Sequence, residues 1–478
     1  MEMSYTGSSG NCSFAIKGKS NNIDMSVSRN PIIRETRITP DNQFIKVKLK
    51  NPIKLRQEQN NIFFGIDWLL VFFFIILVGF GWINIFAATY SEESIQIFDF
   101  STKYSKQLLW ILLSIPLIIL ILFINAKFFQ QFASIFFVLS LLSLIGLFFF
   151  GTEINGARSW YRFGSIGIQP SEFAKVFTAL ALAKLLSDRK YNLSIIKNQL
   201  KAFIIIFLPA FLIALHDPGS AIIYLAFFFV LNREGLTLAY IILGCTSILL
   251  FVLTILLGIK IIIGYLFILI TLYMLYSIYR NKRFLKFNWT KILGMYLISF
   301  LFIFSADYSY NHVLKKHQRD RFEVILGKTS DTKQIGYNSN QSMQTISSGK
   351  FWGKGFLEGD KTKGDFVPAQ DTDYIFSVVG EEWGFIGSSL LILVFISLLF
   401  RIIYRAEKHA NKFGRIYGYG VASILFFHLI VNIGMVIGLI PTVGIPLPFL
   451  SYGGSSLWGF TLLLFIFIKL DAQKSYDW

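Results

Sequence analysis

The chain has 478 residues, 54% of them hydrophobic and 15% charged, with a mean hydropathy of +0.57, a balance that excludes an ordinary soluble domain and points to repeated membrane helices. The net charge of +17 would suit a nucleic-acid binder, but no zinc-ligand spacing or nucleic-acid motif accompanies it, and much of it lies in short segments between apolar runs. There Lys and Arg set orientation and meet anionic lipid, so no nucleic-acid partner is expected.

Residues 1–60 are polar with little periodicity and read as a disordered, basic cytoplasmic tail. No apolar stretch precedes Ile62, so no cleaved signal peptide is expected. Residues 44–56 alternate and are basic, which suits contact with an anionic inner leaflet. Cys12 lies in this tail and Cys245 in an apolar run, so the two do not define a disulfide framework.

Residues 61–478 read as one membrane domain. Apolar runs fall at 63–89, 107–125, 130–150, 171–187, 201–215, 218–232, 237–257, 260–277, 290–306, 378–400, 416–439 and 454–470. Several are short, which predicts an all-α polytopic bundle of 10–12 transmembrane helices. With the N-terminus inside, the inner segments carry Lys127, Arg189, Lys190, Lys197, Arg233, Arg280, Lys282, Arg283, Lys286, Arg401, Arg405, Lys408, Lys412 and Arg415. The outer segment 90–106 carries Glu92, Glu93 and Asp99 against Lys103 and Lys106. This bias follows the positive-inside rule and places 151–170, the break at 216–218, a large loop at 308–372 and 440–453 outside. No internal repeat suggests the inverted halves of a transporter.

The unusual polar residues gather on that outer side. In GARSWYRFGSIGIQPSEFAK (156–175), Arg158 and Arg162 could hold a phosphate, while Trp160 and Tyr161 favour headgroup depth. Pro170 suits a helix start, which puts Glu172 in the first turn and Lys175 on the same face. Lys175 enters an apolar helix; a Glu172–Lys175 pair explains part of this, and a further anionic partner is called for. Asp217, in His216-Asp217-Pro218-Gly219-Ser220, is the expected one, with capping of the helix that begins at Pro218 as the alternative.

The loop 308–372 opens on the basic cluster Lys315-Lys316-His317-Gln318-Arg319-Asp320-Arg321, which suits a diphosphate or a solvated surface. Tyr337–Ser342 and Gly349–Gly355 read as an amphipathic element with a turn, and nothing there is a nucleotide-binding loop. The loop ends at Asp371-Thr372-Asp373, before Tyr374 and a helix carrying Glu381 and Glu382. A carboxylate in a partly dry cleft suits a general base, and a helix cap is the alternative. The prolines and glycines of 441–454 exclude a regular helix and suggest a re-entrant or cavity-lining segment, or a plain outer turn.

Six stretches (GARSWYRFGSIGIQPSEFAK, HDPGSA, HQRDR, GKFWGKGF, DTDYIFSVVGEEWGFIG and GLIPTVGIPLPFLSYGGSS) together resemble the SEDS family of shape, elongation, division and sporulation proteins, nearest its elongation branch. The resemblance covers residue 60 onward. It implies a peptidoglycan glycosyltransferase of the bacterial inner membrane, active on the extracytoplasmic face, which polymerises lipid II. Its implied partners are a class B penicillin-binding protein and other membrane proteins of the elongation complex. It also implies that Asp373 is the catalytic base, that Arg158, Trp160, Arg319 and Arg321 bind substrate or diphosphate, and that Glu172, Lys175 and Asp217 support the cleft. No motif requires a cofactor, and no residues are assigned to a metal, although a divalent Mg or Mn ion could accompany the diphosphate.

Three departures stand out. Asp371 replaces a His usual in the family, His317 replaces a Tyr, and Asp217-Pro218-Gly219 alters the order of a motif. The family has ten spans, so an extra helix pair is expected within 237–306. Other readings consistent with these residues are a division or sporulation relative with the same chemistry, a lipid-linked substrate transporter or flippase, and a non-catalytic scaffold of the cell-wall machinery.

Overall fold

The structure is a computed structural model. It describes residues 65–90, 102–281, 289–326 and 336–473, except 155–156, 165 and 315, together with five short strands between residues 2 and 46. Glu92, Glu93, Asp99, Lys282, Arg283, Lys286, Gly156 and Lys315 lie outside the described residues, as do the side chains of Arg280, His317 and Gln318.

Residues 1–66 and 475–478 form one unit and residues 67–474 another. In the first, β1 (Glu2–Ser8), β2 (Asn11–Lys17) and β3 (Asn22–Val27) pair antiparallel, as do β4 (Thr36–Ile38) and β5 (Phe44–Lys46). Regular structure was not expected there. The local cue is a period-two pattern, visible in Cys12, Phe14 and Ile16 alternating with Ser13, Ala15 and Lys17.

The second unit is a helical bundle. Among the described residues, ten helices are long and apolar enough to cross a membrane. In chain order the helices are α1 (Trp68–Thr89), α2 (Lys103–Phe123), α3 (Ala126–Phe150), α4 (Pro170–Ser187), α5 (Ile196–Ala214), α6 (Pro218–Ile222), α7 (Phe227–Arg233), α8 (Ala239–Leu257), α9 (Ile259–Asn281), α10 (Trp289–Tyr308), α11 (Lys316–Ile325), α12 (Tyr337–Ser348), α13 (Asp360–Lys363), α14 (Ile375–Glu407), α15 (Lys412–Val436) and α16 (Gly454–Ala472). All twelve apolar runs are therefore helical. The two that fall short of a full apolar span are α4, which carries Glu172, Lys175 and Lys184, and 218–233, which a 3-10 turn at Ile223–Ala226 divides.

Several helices start on a capping side chain. Asp67 accepts from Leu69 N, Asn125 from Lys127 N and Asn411 from Phe413 N. Helices α4, α15 and α16 form the most buried part of the bundle, whereas α8, α9 and α10 expose most of their apolar side chains. The last three contain the region in which the extra pair is expected.

Ion pairs clasp one end of the bundle. Arg401 reaches Asp67 at 2.7 Å, and Arg405 reaches Asp67 at 3.1 Å and Asp471 at 2.6 Å. They join the start of α1 to the ends of α14 and α16. The opposite end therefore holds the start of α14, the start of α16 and the acidic loop before α14.

At that end, residues 152–168 form a three-stranded antiparallel sheet of β6 (Thr152–Ile154), β7 (Ala157–Phe163) and β8 (Ile166–Ile168). No strand is read there from the sequence. Tyr161 in β7 reaches back to the Ser143 carbonyl at 2.7 Å, which anchors the sheet on α3.

Candidate functional site

The site is built where two irregular segments cross, the acidic loop 369–374 and a strap at 437–453. The strap has no regular structure, consistent with its prolines and glycines, so its polar backbone atoms need partners from elsewhere. Side chains supply them. Asn432 on α15 donates to the Asp373 carbonyl (2.8 Å) and the Ile445 carbonyl (2.7 Å). Ser451 Oγ accepts from Leu447 N (2.8 Å) and donates to the Thr372 carbonyl (2.7 Å). Tyr452 N donates to the Asp371 carbonyl at 2.9 Å. The strap and the loop thus form one rigid unit.

Asp373 sits on this unit with its side chain partly open to solvent. Its Oδ2 lies 3.4 Å from the position a Cβ would take on Gly444. Burial of the carboxyl first, then the nearby Asp217 and Asp371 and, more weakly, Glu172, together push its pKa up to about 7 against the opposing effect of Arg321. A carboxyl held near neutrality in a cleft is matched to proton abstraction at physiological pH.

Asp371 is placed differently. It is buried and forms an ion pair with Lys103 Nζ at the start of α2, at 2.9 Å. The pair is close but is not an aligned hydrogen bond. The two carboxylates separated by one residue therefore diverge: one is tied to a lysine, and the other faces the cleft.

Lys175 donates to both carboxylate oxygens of Glu172 at 3.0 Å and lies 2.9 Å from His428 Nε2. Asp217 instead caps α6, accepting from Gly219 N (3.1 Å), Ser220 N (3.3 Å) and Ser220 Oγ (2.6 Å). The expected Lys175–Asp217 pair does not form. Glu172, one turn away on the same helix, reaches the ammonium, and the remaining donor is met by a histidine from α15. Asp217 still borders the cleft, as its electrostatic effect on Asp373 requires.

The arginines divide. Arg321 donates to the Thr442 carbonyl at 2.6 Å, on the strap. Arg319 turns back to the Asn311 carbonyl at 3.2 Å, at the end of the helical stretch after α10. Arg158 is exposed and lies near His216, whose pKa is lowered by burial and by that guanidinium. Trp160 packs over Gly167 within the sheet. Ser455 Oγ donates to the Gly167 carbonyl (3.0 Å) and accepts from Gln169 N (3.1 Å), so the sheet and the start of α4 are stitched to the start of α16.

The polar loop supplies the remaining wall. The carboxylate of fully buried Glu381 accepts from Lys354 Nζ (2.7 Å), Ser348 Oγ (3.1 Å), Lys361 N (3.1 Å), and Thr362 N and Oγ1 (both 2.8 Å). It therefore organises 348–362 from within. The helix α14 breaks at Gly384 (φ 64°), where Lys354 N and Gly355 N donate to the Glu381 and Glu382 carbonyls at 3.0 Å. A Cβ on Gly384 would stand 2.2 Å from Gly353 N. Helix α12 packs alongside, with Ser342 Oγ donating to the Val436 carbonyl at 2.9 Å.

The voluminous apolar cavity, roughly 1000 Å³, lies elsewhere, between α7, α14 and α15. None of its lining residues is an acid. Sequence reasoning missed His428 and Lys103, which carry no motif of their own.

A family model described as "Cell cycle protein", covering FtsW, RodA and SpoVE, matches residues 67–292 and 286–476. The chain is 30% identical over 431 residues to a peptidoglycan glycosyltransferase RodA of Treponema pallidum (strain Nichols), covering 85% of this chain and 98% of that protein. It is 31% identical over 336 residues to a peptidoglycan glycosyltransferase MrdB of Escherichia coli (strain K12), covering 70% of this chain and 76% of that protein. A solved structure described as the structural coordination of polymerization and crosslinking by a peptidoglycan synthase complex matches with a TM-score of 0.62 at 25% identity, over 86% of this chain and 99% of that one.

Proposed function

We propose, since this chain belongs to the FtsW/RodA/SpoVE family of cell cycle proteins, that the cleft at Asp373 is where it joins lipid-linked sugars. The chain is a multi-pass membrane protein and a peptidoglycan glycosyltransferase. The substrate assigned to it is lipid II, bound as donor and acceptor on the extracytoplasmic face of the inner membrane, during cell elongation.

Asp373 takes the proton of the acceptor GlcNAc 4-hydroxyl as that oxygen attacks C1 of the donor MurNAc. The C1–diphosphate bond breaks, and undecaprenyl diphosphate leaves with the electron pair. One displacement inverts an α donor to a β product. A diphosphate leaves without a proton, so a single carboxylate suffices where a glycosidase uses two. Developing charge on the diphosphate needs cations, and Arg321 and Arg158 are assigned that role. Trp160 borders the same side. Among the described residues no three His, Cys, Asp or Glu side chains are grouped to hold a metal, and the acids around Asp373 are spent on Lys103 and on a helix cap.

The observation that supports Asp373 over Asp371 is the contrast in partners: Asp371 is bound to Lys103, whereas Asp373 faces the cleft with its pKa pushed up to about 7. Glu172, Lys175 and Asp217 shape the cleft. Arg319 braces the loop through the Asn311 carbonyl with one of its donors, and its remaining donors are assigned to the diphosphate as well. A class B penicillin-binding protein that crosslinks the product is the proposed partner, in keeping with the crosslinking named for the synthase complex of similar fold.

The test is polymerisation of labelled lipid II by reconstituted wild type and Asp373→Asn, with and without the partner. Glycan polymer from wild type alone is expected. Movement of lipid II across the bilayer without polymer would instead make the protein a transporter.

A further inference from the structure

An ammonium carries three N–H donors. Lys175 spends two on Glu172, and the third points at His428 Nε2, 2.9 Å away. On the far side of the ring, His428 Nδ1 lies 3.1 Å from the Pro446 carbonyl. A carbonyl only accepts, so Nδ1 carries the hydrogen. Nε2 of the neutral ring then offers its lone pair to Lys175. The histidine is 1% exposed, and its ring stands edge-on to Phe460, with centroids 4.8 Å apart.

We infer that His428 is a positioning residue for glycosyl transfer, fastening the Lys175 ammonium to Pro446 and so holding the strap against the Asp373 loop. The inference rests on the reading of Asp373 as the base. Pro446 lies between Ile445, whose carbonyl is held by Asn432, and Leu447, whose N–H is held by Ser451. Asn432 also holds the Asp373 carbonyl, and Ser451 the Thr372 carbonyl. His428 and Asn432 are four residues apart on α15, one turn on the same face. A single helix face therefore grips the strap at two successive carbonyls and the catalytic loop at one. Both ring nitrogens are spent on this tie, so His428 does not exchange protons with substrate.

The experiment uses the full-length protein with its partner transpeptidase and lipid II, and measures kcat and KM separately. His428→Phe keeps the ring's bulk but removes both hydrogen bonds. His428→Gln keeps one acceptor and one donor on a single amide. A displacement of about 1 Å at a reacting group costs up to about 100-fold in rate, so H428F should lower kcat about 10- to 100-fold with KM changed by less than about threefold. H428Q should recover to within about fivefold of wild type. Wild-type kcat in H428F would overturn the inference, as would H428Q no more active than an equally folded H428F. Nitrogen-15 NMR of wild type labelled at histidine gives a readout independent of any variant: a hydrogen on Nδ1 and none on Nε2 is expected, and the reverse tautomer overturns the tie. Polymer from H428F at the wild-type rate alongside an inactive D373N would sink this inference alone. An active D373N would sink the reading beneath it.

Discussion

Replacing Asp373 with Asn removes a charge and leaves the shape, and the structure predicts opposite effects on activity and stability. Loss of a general base costs about 10²- to 10⁴-fold in rate, so polymerisation by D373N should fall into that range. Stability should rise. The carboxyl moves from 3.8 in its ordinary state to about 7 in the fold, first through burial and then through Asp217 and Asp371. Three decades in ionisation constant, at about 1.4 kcal/mol each, set a ceiling of about 4 kcal/mol against the charged form. Part of the side chain meets solvent, which screens the repulsion and brings the expected gain to about 1–3 kcal/mol.

Because the folded pKa is raised, the folded state keeps its proton where the unfolded chain has lost it. The stability tied to this proton is complete below about pH 4, declines as pH rises, and is gone above about 7. An amide does not titrate, so the advantage of D373N should be absent near pH 4 and full at pH 8. Thermal melts of both proteins in the same detergent across that range measure it, with a gap of a few degrees at pH 8. Wild-type activity should climb through about pH 7 as the base ionises. Melting curves that stay parallel at every pH would refute the electrostatic argument. Near-normal polymer from folded D373N would refute the base assignment.

Arg321→Ala should weaken use of lipid II more than Arg319→Ala, because Arg321 lies on the strap and Arg319 reaches the Asn311 carbonyl; initial rates over a range of lipid II concentrations compare them, and equal effects count against the division. Asp371→Asn and Lys103→Met should each retain activity within about tenfold, since Lys103 is half exposed and such a pair contributes under about 1 kcal/mol. Their double variant should lose less than the product of the two single losses. Gly384→Ala should fail to give folded protein, because φ 64° and a Cβ 2.2 Å from Gly353 N strain the crossing from both sides. A monodisperse size-exclusion peak at the wild-type position would contradict that.

The helices were legible because a bilayer imposes a length and an apolar content that any reader of the chain can measure. The site was legible where single residues are costly in lipid: Lys175 in an apolar helix, Asp373 at a helix edge, and prolines and glycines at 441–454. Partners were only partly legible. The Glu172–Lys175 pair could be read from the spacing, and Asp217 was the nearest candidate by depth for a further anion, but Asp217 was already engaged with its own helix and the remaining donor goes to His428. His428 looks like a lone polar residue in an apolar run, and its meaning appears only when Pro446 and Lys175 converge on it. The sheet at 152–168 was hidden because ARSWYRF reads as a polar interfacial loop until its neighbouring strands pair with it.

The holders of the strap share one property that explains this pattern. Asn432, Ser451 and His428 all bind main-chain atoms: the carbonyls of Thr372, Asp373, Ile445 and Pro446, and the N–H of Leu447. Main-chain groups are the same at every position, so, Ser451 apart, the side chains of the strap reveal nothing of how it is held. The constraint falls instead on the holders, of which Asn432 and His428 are placed by the fold rather than by their sequence neighbours. Irregular backbone at this depth survives only if such donors and acceptors are supplied. Two of the three come from one face of α15, so displacement of that helix would shift the strap and, through Asn432, the backbone that bears Asp373. The geometry of the proposed base is therefore coupled to the seating of α15 among α4, α14 and α16 more directly than to any residue beside it in the chain.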